Sequence, residues 1–363
     1  MELLNGQELQ NGKYRILKVL GVGSISITYL AVQVNLGRKV VIKELFLRYR
    51  CVRDEGTSAV RAYLKDSREI FNRIRMRFVN EARSLAELNH RNVVSVFDMF
   101  NENYTEYYVM EYFSCGSLED KVRMGALPEK DALKYIRQIA SALNYMHSRR
   151  ILFLDIRPAK IMLAEDGNAV LANPNYEKCS RGLYEYEMSL EPDLPCYDIC
   201  KYHPLENSAP GHVCFPATDI YSLGATLYKL VTGQTPPSAY AVLEKGLPPM
   251  PETISAAVRT AVESAMQLRR KYRPQSINEF IALIDGVSAA ANHHDDGSFV
   301  YERRTEETQL NQEVQYESLW SHVFGGIRTR EGTDCTVRKA DEMENTVFLL
   351  NETDNEDTFI DIK

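Results

Sequence analysis

The chain has 363 residues, 44 % hydrophobic and 26 % charged, enough for a sizeable core and more than one average domain needs. A net charge of −7 gives no overall footprint for nucleic acid or an anionic membrane, so neither is expected as a partner. Seven cysteines at irregular spacing read as reduced thiols, no run reaches the ~20 apolar residues of a membrane helix, and the first residues lack a leader pattern. The expectation is a cytoplasmic protein.

After a lead-in at residues 1–13, Tyr14-Arg15-Ile16-Leu17-Lys18-Val19-Leu20 alternates and reads as a strand. Gly21-Val22-Gly23-Ser24-Ile25-Ser26 follows, and residues 27–34 read as a second strand. Glycines so placed let backbone N–H groups approach a phosphate with no Cβ in the way, although a tight hairpin is the plainer reading of the pair alone. Arg38-Lys39-Val40-Val41-Ile42-Lys43-Glu44 is a third strand, and residues 45–76 are a long, arginine-rich charged connection. Residues 77–88 place Phe78, Ala82, Leu85 and Leu88 at a helical period, with Glu81 among them. Residues 93–100 and 106–112 are two further strands, the second running into Met110-Glu111-Tyr112-Phe113 and the turn Cys115-Gly116-Ser117-Leu118. Residues 128–148 form an amphipathic helix with Ala132, Tyr135, Ile136, Ile139, Leu143 and Met146 on one face.

Next comes Ile151-Leu152-Phe153-Leu154-Asp155-Ile156-Arg157-Pro158-Ala159-Lys160-Ile161-Met162-Leu163. Its apolar brackets, Asp155 and Pro158 resemble the catalytic loop of protein kinases, I-x-H-R-D-[IL]-K-P-x-N-[IL]-[LM]-L. The run from Thr218-Asp219-Ile220-Tyr221-Ser222-Leu223-Gly224 to Gln234-Thr235-Pro236-Pro237 resembles helix F of bacterial Ser/Thr kinases. With the strand–glycine–strand opening, the resemblance covers roughly residues 14–285. It implies an α+β, two-lobed protein-kinase-like fold with an N-lobe at 14–111 and a C-lobe at 112–285. An acidic tail at 286–363 follows.

The same resemblance implies roles. Leu20, Gly21, Val22 and Gly23 would cover a nucleotide, Lys43 would hold its α- and β-phosphates, and Glu81 would pair with Lys43. Backbone groups of Glu111 and Phe113 would face adenine. Asp155 would be the catalytic base, Asp219 would hold the catalytic-loop backbone, and Glu206 would pair with Arg273 as a structural link.

Several polar positions depart from the family pattern. The family's His is Phe153, its Arg is Leu154, its Lys is Arg157 and its metal-binding Asn is Lys160. D-F-G reads Asn173-Pro174-Asn175, so Asn173 replaces the Asp that chelates magnesium. Val41 stands where a small Ala roofs the adenine slot, and overpacking there costs about 1–3 kcal/mol. Lys160 and Asp155, if ~4 Å apart at an effective dielectric of ~20, attract by about 4 kcal/mol before desolvation. Lys160 then either acts as a tethered cation against phosphate or plugs the site.

The expectation is a bacterial Ser/Thr pseudokinase acting as a signalling or scaffolding module, with ATP as its candidate ligand and magnesium binding in doubt. The alternative is an active, atypical Ser/Thr kinase with rearranged metal binding; nucleotidylation is a third reading. Cys196, Cys200, His203, His212 and Cys214 cluster at spacings that fit no zinc pattern, and no metal site is expected. The tail reads as a solvated acidic segment. Its Thr346 and Thr358 offer a sharper reading, a phospho-Thr ligand for a forkhead-associated domain.

Overall fold

Alternation builds the first part of the fold. The computed structural model describes residues 2–63, 65–172, 201–208 and 214–286, all within one unit, Met1–Asn292. Six strands form an antiparallel sheet: β1 (Glu8–Leu9), β2 (Tyr14–Val22), β3 (Ser26–Gln33), β4 (Arg38–Leu45), β7 (Val96–Glu102) and β8 (Thr105–Glu111), in the order β1-β2-β3-β4-β8-β7. The lead-in is thus part of the sheet: Leu9 pairs with Tyr14, and the N–H of buried Leu3 donates to the Tyr29 hydroxyl oxygen at 3.1 Å. In β3, Ile27, Tyr29 and Ala31 point into the core at every second position. In β4 and β8 the alternation disappears because both faces are covered, and Val40 to Leu45 and Thr105 to Met110 are all buried.

The expected connection at 45–76 is not a loop. It contains a hairpin, β5 (Cys51–Arg53) with β6 (Val60–Ala62), and most of a 22-residue helix, α1 (Lys65–Ala86). The helix starts well before residue 77 because its buried stripe does: Ile70, Phe71 and Ile74 continue the series Phe78, Ala82 and Leu85 backwards at the same period. An Asp54 carboxylate that accepts from the N–H groups of Gly56 and Thr57 at 3.1 and 3.0 Å shapes the hairpin turn. The hairpin's inner face carries Arg53, whose guanidinium meets fully buried Glu44 at 2.6 Å. Tyr29 and Tyr107 donate to the same carboxylate at 2.8 and 2.5 Å. A lone carboxylate could not survive there; with a guanidinium and two hydroxyls it can.

The rest is helical around two short strands. α2 (Leu118–Val122) opens with a Ser117–Asp120 capping box, and α3 (Glu129–His147) buries the predicted face. β9 (Ile161–Leu163) and β10 (Ala169–Leu171) pair antiparallel. α4 (Pro216–Thr232) is buried on almost every side, as its near-continuous apolar sequence requires. Pro216 starts it, and Gly233 in the left-handed region (φ 70°) stops it, returning its N–H to the Lys229 carbonyl. α5 (Ala239–Lys245), α6 (Ala256–Ala265) and α7 (Ile277–Ile284) complete the described residues. One hydrophobic core lies among the β-rich elements and α1, the other around α3 and α4. Among the described residues no helix is long and apolar enough to cross a membrane.

Candidate functional site

The two cores flank a cleft, and each wall supplies charged side chains. On the β-rich side Lys43 is 7 % exposed and its ammonium lies 3.2 Å from Glu81 on α1. The strand register sets Lys43 opposite Tyr108, whose hydroxyl donates to the same Glu81 oxygen at 2.9 Å. Burial, then Glu81, holds the Tyr108 phenol well above its usual range, so it remains a donor. The rings of Tyr108 and Phe78 stand 5.5 and 5.9 Å from the Lys43 ammonium. Spacing did not reveal Tyr108; the sheet register does.

Gly21 pairs with Thr28 and Val22 with Ile27, and the turn between closes when Gly23 donates to the Ser26 carbonyl at 2.8 Å. The chain after β4 returns to the turn: Phe46 and Arg48 donate to the carbonyls of Ile25 and Ser24, both at 2.9 Å. A Cβ built on Gly21 meets nothing within 4 Å, and Gly21 lacks the positive φ that would require glycine. Space in front of the loop is what glycine provides there. Leu20 is exposed beside it. Val41 lies opposite Met110 in the sheet and both are buried; Glu111 ends β8 and Phe113 is buried just beyond.

On the helical side, Asp219 in the first turn of α4 is fully buried and organises the loop at 151–160. It accepts from the N–H of Phe153 at 2.9 Å, from that of Leu154 at 2.7 Å, and meets His147 Nε2 at 2.8 Å. Leu154 is held at φ 61°, which leucine rarely adopts. That strain is the observable sign that the Asp219 contacts fix the loop. Phe153 and Leu154 pack at 1 % exposure where the family carries His and Arg.

The loop presents Asp155 at 4 % exposure among cations. Arg157 Nε donates to Oδ1 at 3.0 Å, Lys160 Nζ stands 3.6 Å from Oδ2, and His203 Nε2 stands 3.7 Å from Oδ1. Burial alone would raise the Asp155 carboxyl; His203, Lys160 and Arg157 outweigh it and hold the group below the usual carboxylate range. Lys160 moves to about 8, because burial and the charges of Lys43 and Arg157 outweigh the attraction of Asp155 and Glu81. Arg157, not Lys160, is therefore the closer partner of Asp155. His203, grouped in the sequence with possible metal ligands, lies against Asp155 instead, 48 positions away, a separation that left no signal. Cys214 is buried; Cys196, Cys200, His212, Asn173, Thr346 and Thr358 lie outside the described residues.

Glu206 meets Arg273 at 2.5 and 3.0 Å. Arg273 also donates to the carbonyls of Gln267, Leu268 and Ala217, so its buried guanidinium is well supplied with acceptors.

A β-rich lobe, a helical lobe, a Lys–Glu pair on one side and an Asp-bearing loop on the other define a protein-kinase-type fold. Residues 14–173 match the protein kinase domain family. The serine/threonine-protein kinase PrkC of Bacillus subtilis (strain 168) is 31 % identical over 229 residues, 62 % of this chain and 31 % of that protein. A probable serine/threonine-protein kinase of Clostridium perfringens (strain 13 / Type A) is 27 % identical over 296 residues, 78 % and 40 % of the two chains. The solved apo form of PpkA-294 matches in fold with a TM-score of 0.66 at 24 % identity, over 78 % of this chain and 99 % of that one. The chain is similar to protein kinases of the Ser/Thr type over these stretches. It spans 31 % to 44 % of the length of the first curated relatives it matches.

Kinases of this family use ATP and magnesium. Among the described residues, those around Asp155 do not fit the metal. Glu81 is engaged by Lys43 and Tyr108, and Asp155 by Arg157. The family resemblance puts Lys160 where a neutral oxygen ligand is expected; a divalent ion ~4 Å from its ammonium would meet a repulsion of about 8 kcal/mol at an effective dielectric of ~20.

Proposed function

We propose that the chain is a pseudokinase, a kinase-fold module that serves cytoplasmic signalling or scaffolding with little or no phosphotransfer. One observation carries the reading: both Asp155 oxygens face cations, one of them Lys160, at the position where the resemblance expects a metal ligand. Phosphoryl transfer is positioning plus charge neutralisation, and two metal ions supply much of the latter. A carboxylate whose basicity is lowered by such neighbours is also a poorer proton acceptor. The test is transfer of labelled phosphate from ATP to a generic protein substrate and to the chain itself, with magnesium or manganese, beside a verified active kinase. No transfer above that of Asp155→Asn is expected.

A second reading is an active, atypical Ser/Thr kinase. It is favoured by the intact Lys43–Glu81 contact and by the Asp219 contacts that keep Asp155 on an ordered loop. Robust transfer abolished by Asp155→Asn decides for it. The partner we propose is a protein with a forkhead-associated domain that reads phosphorylated Thr346 or Thr358. Binding that persists after both threonines become alanine removes that partner.

A further inference from the structure

Among the described residues, the charges around Lys43 and Asp155 leave one cation over. Lys43 has Glu81 at 3.2 Å, and Arg157 has Asp155 at 3.0 Å. Lys160 has no carboxylate of its own: its nearest, at 3.6 Å, belongs to an Asp155 that Arg157 already serves. An ammonium carries three donors. Among the described residues none of those donors has an acceptor within hydrogen-bond length, and the side chain is only 17 % exposed. Lys43 and Glu81, on the β-rich wall, lie near enough for their charges to act on it from across the cleft. In the same sheet as Lys43, the glycine turn leaves open space in front of Gly21.

Such a cleft attracts an anion with several oxygens and disfavours a divalent cation. We propose that it binds a nucleoside polyphosphate without any divalent metal, with Lys160 as the fixed counter-charge in place of the metal-binding Asn. The proposal rests on the kinase-fold reading of the cleft and deepens it by naming the ligand's ionic form. Magnesium and Lys160 compete for the same phosphate oxygens, so added magnesium does not strengthen binding.

The experiment is thermal denaturation of the full chain with ATP, first in EDTA and then in excess magnesium, with binding constants from equilibrium dialysis. A ligand that prefers the native state raises the midpoint. Expected are a rise in EDTA, no larger rise with magnesium, and binding in EDTA weakened about tenfold or more by Lys160→Asn, the scale of a lost charge-assisted contact. Tripolyphosphate shares the loss and adenosine does not. Where Lys160→Asn fails to melt cooperatively without ligand, Lys160→Met, which keeps the stem, takes its place, and the wild-type arms decide in either case. A rise that requires magnesium overturns the proposal and leaves nucleotide binding intact. Equal affinity in EDTA for wild type and variant overturns the role of Lys160. No binding of ATP in either condition overturns both the proposal and the nucleotide reading, while the phosphotransfer assay separately tests the pseudokinase reading.

Discussion

Replacing Asp219 by alanine is expected to loosen the whole catalytic loop, since one buried side chain carries its geometry. The substitution strands two buried backbone donors, Phe153 N–H and Leu154 N–H, and removes the partner of His147. Each stranded donor costs about 1–3 kcal/mol, so the pair costs roughly 2–6 kcal/mol. Leu154 then leaves its left-handed conformation, which returns about 1–2 kcal/mol. The expected net loss is about 3 kcal/mol, or roughly 6–12 °C in melting temperature. Asp219→Asn keeps one acceptor oxygen and turns an amide donor towards the other N–H; it is expected to lose about half as much. Thermal and urea denaturation of the three proteins measure both. An Asp219→Ala protein melting within about 2 °C of wild type refutes the reasoning, because the loop would then be held by packing and not by these hydrogen bonds.

Arg53→Leu leaves Glu44 fully buried without its cation and is expected to cost about 3–5 kcal/mol in urea denaturation; adding Glu44→Gln recovers part of the loss. Gly224→Ala sets two effects against each other: helix propensity gains about 1 kcal/mol, but the new Cβ falls 2.5 Å from the Ala265 Cβ. Overpacking of about 1–3 kcal/mol wins, so the melting temperature falls, and Gly224→Ala with Ala265→Gly restores part of it. Lys160 predicts a pH dependence. Its folded pKa, about 8, lies below the ordinary lysine value, so between about 8 and 10.5 the unfolded chain binds a proton that the folded chain does not. Its contribution therefore makes stability rise with pH across that window. Denaturation midpoints of wild type minus Lys160→Met should show the rise, and a flat difference refutes it.

The helical half was legible because its signals are local. The run 218–237 was read from its resemblance to a family helix, and from Thr218 to Val231 it is buried apart from Lys229, while the α3 stripe keeps one period throughout. Lys43, Glu81, Asp155, Asp219, Glu206 and Arg273 each sit in a motif, so the structure's pairing of Lys43 with Glu81 and of Glu206 with Arg273 joins positions the sequence had singled out. The segment at 45–76 was not legible, since arginine reads as solvent-exposed until a buried acid is found for it. Arg53 has Glu44, and only the folded hairpin brings them together. The left-handed Leu154 has no sequence signature either, because leucine does not favour that region and tertiary contacts impose it. His203 reaches Asp155 through the fold alone.

A tethered ammonium and a divalent ion solve different problems. The ion brings two charges, bridges phosphate oxygens and stabilises charge as it redistributes during transfer. Lys160 brings one charge on a stem whose backbone carbonyl accepts from Ala172 N–H at 2.9 Å. It attracts a bound polyphosphate much the same before and during bond cleavage, and such uniform binding tightens occupancy without lowering the barrier. Its neighbours hold the Asp155 carboxyl below the usual carboxylate range, which on the proposed reading weakens any push on an attacking hydroxyl. The same substitution that favours holding a nucleotide thus works against consuming it. On the proposed reading, a ligand's effect would come from the conformation it stabilises, and only through its differential affinity for that conformation.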